Sequence, residues 1–513
     1  MNLSVLDGRD GRKIIGDLAD YHLLIQEQPK AKNVAIYDTF DWRLFEKSLL
    51  LYGAENELIL HSLSDYKIVR RTKVDSLPGF AWEFPDGDLK SLLAPILEMR
   101  RLLKLTEFRS LFTIYRILNK EQKTVVKLFY EEICRVAQEQ TLCVHLHVEP
   151  VRGYPRYYRK TVDRLEKMGF VQINPKTMYF DVLKESDKTP GEYSSKLRLQ
   201  LEPNMRSDEA TKIILRSLLR TMKANENYII EDLDTEFLHD FRVAIRRTRI
   251  VLGQIKRVFP ADTTKKFQRD FAILGKLSNE LRDLDVCLLK ENPYKKMVPE
   301  SLREEINPLF LFLNDKRSKV LEDFKNSLCS AEYSKAVRKW EDFLNEPLAE
   351  SPTAPNATVP ISELARKRIH KRYTEILKTG AQPSETANDH RLHALRIECK
   401  KLRYLMEFFF SLFPRRKISR LIKELKSLQD NLGDFNDLCI QRAYLRKTVD
   451  ELPISGHQAK KTTLAIGSLI GRLEEQTQTA KGSFSEIFTR FASPTNRGLY
   501  HELFVATKGK ASP

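Results

Sequence analysis

His239-Asp-Phe-Arg-Val-Ala-Ile-Arg-Arg-Thr-Arg249 and His393-Ala-Leu-Arg-Ile-Glu-Cys-Lys-Lys-Leu-Arg403 share one pattern, His-x2-Arg-x3-basic-basic-x2-Arg. Each runs on to Phe-Pro at the same distance, Phe259-Pro260 and Phe413-Pro414. A repeat of this length is a duplicated structural unit. Its best-kept feature is a row of cations, and such rows bind anions: arginine offers planar paired donors, lysine a point charge. The expected anion contacts are His239, Arg242, Arg246, Arg247 and Arg249 in the first copy. In the second they are His393, Arg396, Lys400, Lys401 and Arg403.

These side chains need helices to align them. Steps of three, four and three residues put His239, Arg242, Arg246 and Arg249 on one helical face, and the second copy does the same. Phe241, Ile245, Leu252, Ile255 and Phe259 follow a neighbouring face, matched by Leu395, Cys399, Met406, Phe409 and Phe413. Each helix thus has a core side and a basic side, and Pro260 and Pro414 are expected to mark its end. A merely solvated face needs no matched cations twice and ordinarily mixes Glu with Lys.

A second repeated element follows each stripe. Leu277-Ser-Asn-Glu-Leu-Arg-Asp-Leu-Asp285 matches Leu428-Gln-Asp-Asn-Leu-Gly-Asp-Phe-Asn436. Asp283, Asp285, Asp434 and Asp437 suit helix capping and the orientation of arginines better than metal ligation. A secondary basic track is expected from Arg216, Arg220, Arg366, Arg368, Lys371, Arg372, Lys423 and Lys426, with Arg415-Arg416-Lys417 at its exit.

The 513 residues leave room for two to four domains, and 42% hydrophobic content supports real cores. The net charge of +17 points to polyanionic partners. Residues 1–200 carry 32 Lys+Arg against 28 Asp+Glu, so most of the excess lies with the repeats. Six cysteines without CxxC spacing read as reduced core thiols. No apolar run reaches signal-peptide or membrane-spanning length, so a cytoplasmic chain with no membrane partner is expected. No catalytic triad or phosphate-cradling glycine loop stands out, and neither a cofactor nor a metal is expected. The stripes lack the interleaved aromatics of a base-stacking groove, so no specific nucleic acid is expected.

The N-terminal region reads as α+β. Asn33–Phe40 looks like a strand entering a turn, Phe112–Leu118 and Thr124–Tyr130 like a hairpin, and Leu142–Glu149 like an alternating strand. Thr161–Gly169 ends as a helix does. The expected organisation is an α+β domain at 1–185, a linker at 186–204, helical repeats at 205–345 and 361–482, and an extension at 483–513. A proline-rich linker at 346–360 is expected to be an exposed loop, and the tail from Ala506 to be frayed.

The paired stripes with their Arg-Asp-Leu-Asp and Leu-Gln-Asp-Asn-Leu-Gly-Asp elements resemble a CHAD domain, from about Met205 to Gly482. The resemblance implies an all-α domain of two pseudo-symmetric four-helix bundles. It also implies a central basic groove and inorganic polyphosphate as ligand, with recruitment to polyphosphate granules as the consequence. Tyr37-Asp-Thr-Phe-Asp-Trp-Arg-Leu44 resembles the Tyr-Asp-Thr segment of a CYTH domain, a triphosphate-tunnel fold. That resemblance implies an eight-stranded antiparallel β-barrel with charged residues alternating into its bore. The catalytic signature departs from the family. There is no opening Glu-x-Glu-x-Lys strand, the first glutamate is Glu27, and His145-x-His147-x-Glu149 stands where alternating glutamates for Mg²⁺ are due. Arg43, Arg70, Arg109, Arg116 and Lys127 remain as lone phosphate contacts. The expectation is a degenerate, non-hydrolytic domain beside a polyphosphate binder. The alternative is a metal-dependent triphosphatase to which the helical domain delivers substrate. His145, His147, Glu149 and nearby Cys143 share a strand face suited to Zn²⁺ rather than Mg²⁺, and whether they bind a metal is left open.

Overall fold

The structure is a computed structural model that describes residues 1–5, 11–20, 23–64, 67–136, 141–184, 186–197, 199–381, 389–453 and 455–505. The expected frayed tail from Ala506 lies outside the described residues. The chain divides into two compact units, Met1–Ser195 and Lys196–Pro513.

The N-terminal unit is built on one antiparallel sheet, consistent with a CYTH-like tunnel domain. Its strands are β1 (Asn2–Val5), β2 (Leu23–Gln26), β3 (Lys30–Asp38), β4 (Leu49–Ala54), β5 (Glu57–Ser62), β6 (Ile68–Lys73), β7 (Leu103–Leu118), β8 (Thr124–Cys134), β9 (Thr141–Pro150) and β10 (Phe170–Gln172). The order is β10-β1-β9-β8-β7-β3-β4-β5-β6, with β2 beside β7, and no described pairing joins the two ends. Among the described residues the sheet therefore has ten strands rather than the expected eight. The long β7 makes room by pairing β3 along its first part and β2 beyond it. β1, β2 and β10 are too short to show a period-two pattern in the sequence.

Alternation along the strands sorts two faces. Val126, Leu128 and Tyr130 of β8 and Leu146 and Val148 of β9 join a core with Ile15 of α1 (Gly11–Gly16). Further along the chain, α2 (Arg43–Glu46) and α3 (Asp88–Leu97) precede α4 (Pro155–Lys167), whose Val162 and Leu165 complete that core. The other face is covered by α5 (Pro175–Lys184). Its Tyr179, Val182 and Leu183 pack on Val34, Ile36, Leu50, Phe108 and Ile133.

The Tyr37-Asp-Thr segment works as a structural knot. The Asp38 carboxylate is almost fully buried and accepts hydrogen bonds from the backbone N–H of Thr39 (2.7 Å), Leu44 (2.9 Å) and Phe45 (2.9 Å). It thereby holds the start of α2. Burial pushes its pKa up to about 7, against the pull of those donors.

The helical unit repeats one arrangement. The first copy contains α6 (Ser207–Ile230), α7 (Thr235–Gln254), α8 (Ala261–Leu277), α9 (Asn279–Leu288), α10 (Glu291–Met297), α11 (Asn307–Leu328) and α12 (Ala331–Asn345). The second contains α13 (Ile361–Gly380), α14 (Asp389–Phe408), α15 (Arg415–Glu451) and α16 (Gly456–Gly482). The two stripes lie on α7 and α14. Their apolar partners are buried as the periodicity requires: Phe241, Ile245, Leu252 and Ile255, and Leu395, Cys399, Met406 and Phe409. The copies do not stand apart. Leu284, Cys287, Tyr294, Leu309 and Leu313 share one core with Leu445, Ile466, Leu469 and Leu473.

Four expectations need correction or refinement. First, α7 and α14 end several residues before Pro260 and Pro414, which instead occupy the N-caps of α8 and α15. The chain turns at Arg257, which adopts a positive φ of 62°. Second, the 346–360 segment is the largely exposed loop expected, and backbone hydrogen bonds also strap it down. Ser207 N–H donates to Val359 O (3.0 Å), Asp208 N–H to Ala357 O (3.0 Å) and Asn356 N–H to Arg257 O (2.9 Å), and Ala357 is buried. Third, the extension forms α17 (Phe484–Phe491) and α18 (Pro494–Phe504), which belong to the second copy. Phe484, Phe488, Phe491, Tyr500 and Phe504 are buried, and Tyr500 stacks on Tyr373 of α13 at 3.6 Å. Fourth, Cys329 is exposed, whereas Cys134, Cys287 and Cys399 are core thiols.

One packing contact gives a direct test. A Cβ added at Gly380 would lie 2.0 Å from Phe488 of α17. Gly380→Ala should destabilise the helical unit by about 2 kcal/mol, because the buried ring must move. Chemical denaturation of the full chain would register it as a lower midpoint of the helical transition, and an unchanged midpoint would refute the α13–α17 contact.

Candidate anion-binding site between the two basic helices

The α7 and α14 stripes meet. The Arg247 guanidinium donates to Glu407 of α14 (3.2 Å) and lies 5.4 Å from the centre of the Tyr404 ring. Glu407 also accepts from Arg403 Nε (2.7 Å). Glu398 does the same for Arg372 of α13 and for Lys401 (2.7 Å each). Arg247, Arg403, Arg372 and Lys401 are therefore already partnered by acids. Glu398 and Glu407 lie on the stripe helix itself, at i−3 from Lys401 and i+4 from Arg403. Both contacts follow from i,i+3 and i,i+4 spacing on the helix.

A second set of cations has no such partner. Among the described residues, no carboxylate pairs with Arg246, Arg249 or Lys400. Nε of Arg246 and Nε of Arg396 are buried without a protein hydrogen-bond partner. Burial lowers the pKa of Arg396, opposed by Asp437 and aided by Arg246. Lys400 is half-buried, and its amine is pushed down to about 7, first by burial and then by Arg246 and Arg396. Burial, with Arg246 adding to it, lowers Arg242 to about 10. Partly dehydrated like charges held together are costly, and an incoming anion relieves that cost. Beside Arg246 opens a cleft of about 360 Å³ lined by Arg246, Arg249, Ile250, Gln254, Gln268 of α8 and Lys401 of α14. Gln254 and Gln268 carried no sequence signal, since neither belongs to the repeat.

The second repeated element supports the stripes from behind. Asp437 accepts from Arg396 (3.1 Å), Asn436 bonds His393 Nδ1 (2.6 Å), and Gln429 accepts from Arg403 (3.3 Å). Arg242, the counterpart of Arg396, is held differently. It reaches the break between α8 and α9, where Ser278 Oγ (2.8 Å) and Asn279 Oδ1 (3.0 Å) accept from it. α15 has no such break. Asp285 ion-pairs with Arg317 (2.7 Å). Asp283, Asp285, Asp434 and Asp437 lie inside α9 and α15 and cap nothing; Asp285 and Asp437 pair with arginines, and Asp283 lies near Arg242 and Arg282.

The remaining expected contacts scatter. His239 is half-buried on α7, and His393 is exposed on α14. Arg216 donates to Leu344 O at the end of α12, and Arg368 to Lys256 O (3.3 Å), so both serve the local fold. Arg220, Arg366, Lys371, Lys423, Lys426, Arg415 and Arg416 are exposed, and Lys417 pairs with Glu502 of α18.

In the N-terminal unit the lone cations are mostly neutralised. Arg43 pairs with Asp41 and Glu98, Arg70 with Asp88, Arg116 with Glu27 and Lys127 with Glu149. His145 is buried and its pKa falls to about 4, chiefly through burial. His147 Nδ1 lies 2.7 Å from Asn2 Oδ1. Among the described residues, no group of three or more His, Cys, Asp or Glu is placed to hold a metal.

Residues 213–446 match the family model described as CHAD domain. No curated protein sequence matches the chain. Among solved structures, the CHAD domain from the plant Ricinus communis is 23% identical, covering 58% of this chain and 95% of its own, with a TM-score of 0.49. PptA from Streptomyces chartreusis is 15% identical, covering 56% of this chain and 100% of its own, with a TM-score of 0.43. No described helix is long and apolar enough to cross a membrane. The helical unit therefore carries a CHAD domain, at residues 213–446.

Proposed function

We propose that this protein binds inorganic polyphosphate, without hydrolysing it, along the seam between α7 and α14. The observation that carries the reading is a cluster of cations on the facing stripes: Arg246, Arg249 and Lys400, which no described carboxylate pairs, with Arg396, whose Nε is buried without a protein partner, and an open cleft beside Arg246. A linear chain of phosphates repeats its charge at short intervals and rewards successive contacts, whereas orthophosphate can use only one. Among the described residues no aromatic side chain lines the cleft, which disfavours base stacking and hence single-stranded nucleic acid. A cytoplasmic chain gathered on polyphosphate granules is the cellular consequence of this reading.

The N-terminal unit serves as scaffold rather than enzyme in this proposal. α5 covers one face of its sheet, and Arg43, Arg70, Arg116 and Lys127, four of its five expected phosphate contacts, are paired with carboxylates. The test is a competition series on the full chain at fixed ionic strength. Long-chain polyphosphate should displace a labelled chain at far lower concentration than tripolyphosphate, ATP or orthophosphate, with RNA and DNA weaker per charge. Equal potency of ATP and long chains overturns the reading. In the same samples, Mg²⁺ or Mn²⁺ should release no phosphate from tripolyphosphate. Turnover of ordinary enzymic size, about 1 per second or faster, would establish the triphosphatase instead.

A further inference from the structure

We propose that a second cavity, in the first helical copy, binds a purine nucleotide. Its volume is about 560 Å³, and it opens between the α7–α8 corner, α12 and the 346–354 strap. Cavities of about 300–1,000 Å³ suit small organic ligands. It shares no lining residue with the cleft beside Arg246, so it is a site apart from the phosphate seam. Its wall is aromatic. The Phe343 ring of α12 stands 5.1 Å from Phe259 and 5.1 Å from Phe267 of α8, centre to centre, and Phe259 and Phe343 are only half-buried. The opposite wall is held in place. Lys212 of α6 is 5% exposed, donates to Glu346 O (2.7 Å) and lies 5.1 Å from the Phe343 ring centre, while Arg206 donates to Ala349 O (2.9 Å). The strap is thereby tied at two points, and the cavity is formed before any ligand arrives.

Cations and acids share the rim. Lys339, Asp342 and Phe343 fall on one face of α12, and Lys266 adjoins Phe267 on α8. Lys266, Lys339, Asp342 and Glu346 are exposed and line the cavity, and among the described residues none of the four is ion-paired. Three kinds of ligand group are thus matched at once. The rings take the face of a flat apolar body. The ammoniums take phosphate charge. The carboxylates accept from hydroxyl or amino donors. A purine nucleotide carries all three in its base, its phosphates and its ribose. An inorganic anion uses the ammoniums alone and is repelled by Asp342 and Glu346. A free nucleoside forgoes the ammoniums, and a pyrimidine buries less area on the rings.

The experiment photolabels the full chain with an azido-ATP and maps the label by peptide mass spectrometry. Label should fall on peptides containing Phe259, Phe343 or the strap, and competitors are scored by its loss there. ATP should remove it at lower concentration than UTP. Adenosine and tripolyphosphate should each need at least about tenfold more than ATP. Lys266→Gln with Lys339→Gln should weaken ATP at least about tenfold and leave adenosine within about twofold. Asp342→Asn with Glu346→Gln separates a nucleotide from a plain anion. It should weaken ATP, because the ribose loses charged acceptors, and tighten tripolyphosphate, because a repulsion is gone. All four side chains are exposed, so these changes spare the core. Label confined to the N-terminal unit or to the α7 and α14 stripes overturns the inference. So does tripolyphosphate as potent as ATP, unchanged ATP binding in the lysine variant, or tighter ATP binding in the acid variant.

Discussion

Replacing Arg246, Arg249, Arg396 and Lys400 together with glutamine should weaken binding of long-chain polyphosphate about 10³-fold or more. Each contributes a charge-assisted contact worth about 1.5–3 kcal/mol, and shortfalls from additivity are allowed for in that figure. The slope of log affinity against log salt should flatten by roughly 3, since each lost phosphate contact removes about 0.7 from it. The fold should survive: these side chains repel one another, and Lys400 and Arg396 carry a burial penalty that glutamine does not. The control is Arg247→Gln with Arg372→Gln. Those guanidiniums are already matched by Glu407 and Glu398, so their loss should cost stability more than affinity. Undiminished binding by the quadruple variant, with helical circular dichroism intact, would mean that the stripes are solvated faces. Loss of affinity by the control pair alone would place the ligand elsewhere.

Binding should also tighten as the pH falls toward 7 and then level off. The group expected to carry this sensitivity is Lys400. In the free protein the Lys400 amine titrates at about 7, held down by burial and by Arg246 and Arg396. A bound polyanion favours the ammonium, so the bound value is higher. Between the two values the complex holds a proton that the free protein lacks. The contribution of Lys400 is therefore complete below about 7 and is lost as the pH rises through the bound value. The expected loss between pH 7 and pH 9 is on the order of tenfold or more. Folding has the opposite sign. The unfolded lysine keeps its proton up to about 10.4, so the folded state gains stability as the pH rises above the depressed value. Lys400→Gln should erase most of the binding dependence, and His239→Gln with His393→Gln should leave it in place. Isothermal titration of chains long enough that their end groups are a small minority would read both. A full pH dependence in Lys400→Gln would place the role on His239 and His393 instead.

The parts of this fold that the sequence exposed are those governed by periodicity and repetition. Matched spacing put the cations on α7 and α14, and the apolar set beside them is buried as the pattern requires. The alternation of Leu142–Glu149 and the hairpin around Asn119–Lys123 appear as β9 and as β7–β8. What stayed hidden depends on contacts between distant residues. Glu407 at i+4 from Arg403 is legible locally, but nothing local indicates that it would also reach Arg247 on α7, or that Gln268 would close a cleft against Arg246. The stripe alone cannot separate Arg247, which is partnered, from Arg246, which is not, because the two are adjacent and chemically identical. Proline was misread for a simpler reason. Its ring ends one helix and begins the next equally well, and here it begins α8 and α15. The extension was legible in principle, since Phe484, Phe488 and Phe491 recur at helical spacing.

The most direct test of the account is an arginine footprint. The full chain is treated with phenylglyoxal in the presence and absence of long-chain polyphosphate, and the modified sites are mapped by mass spectrometry. Polyphosphate should protect Arg246, Arg249 and Arg396. It should leave Arg43 and Arg116, which are paired with acids in the N-terminal unit, unchanged. Protection confined to the N-terminal arginines, or no protection at Arg246, Arg249 and Arg396 at saturating polyphosphate, would contradict a binding seam between the two basic helices.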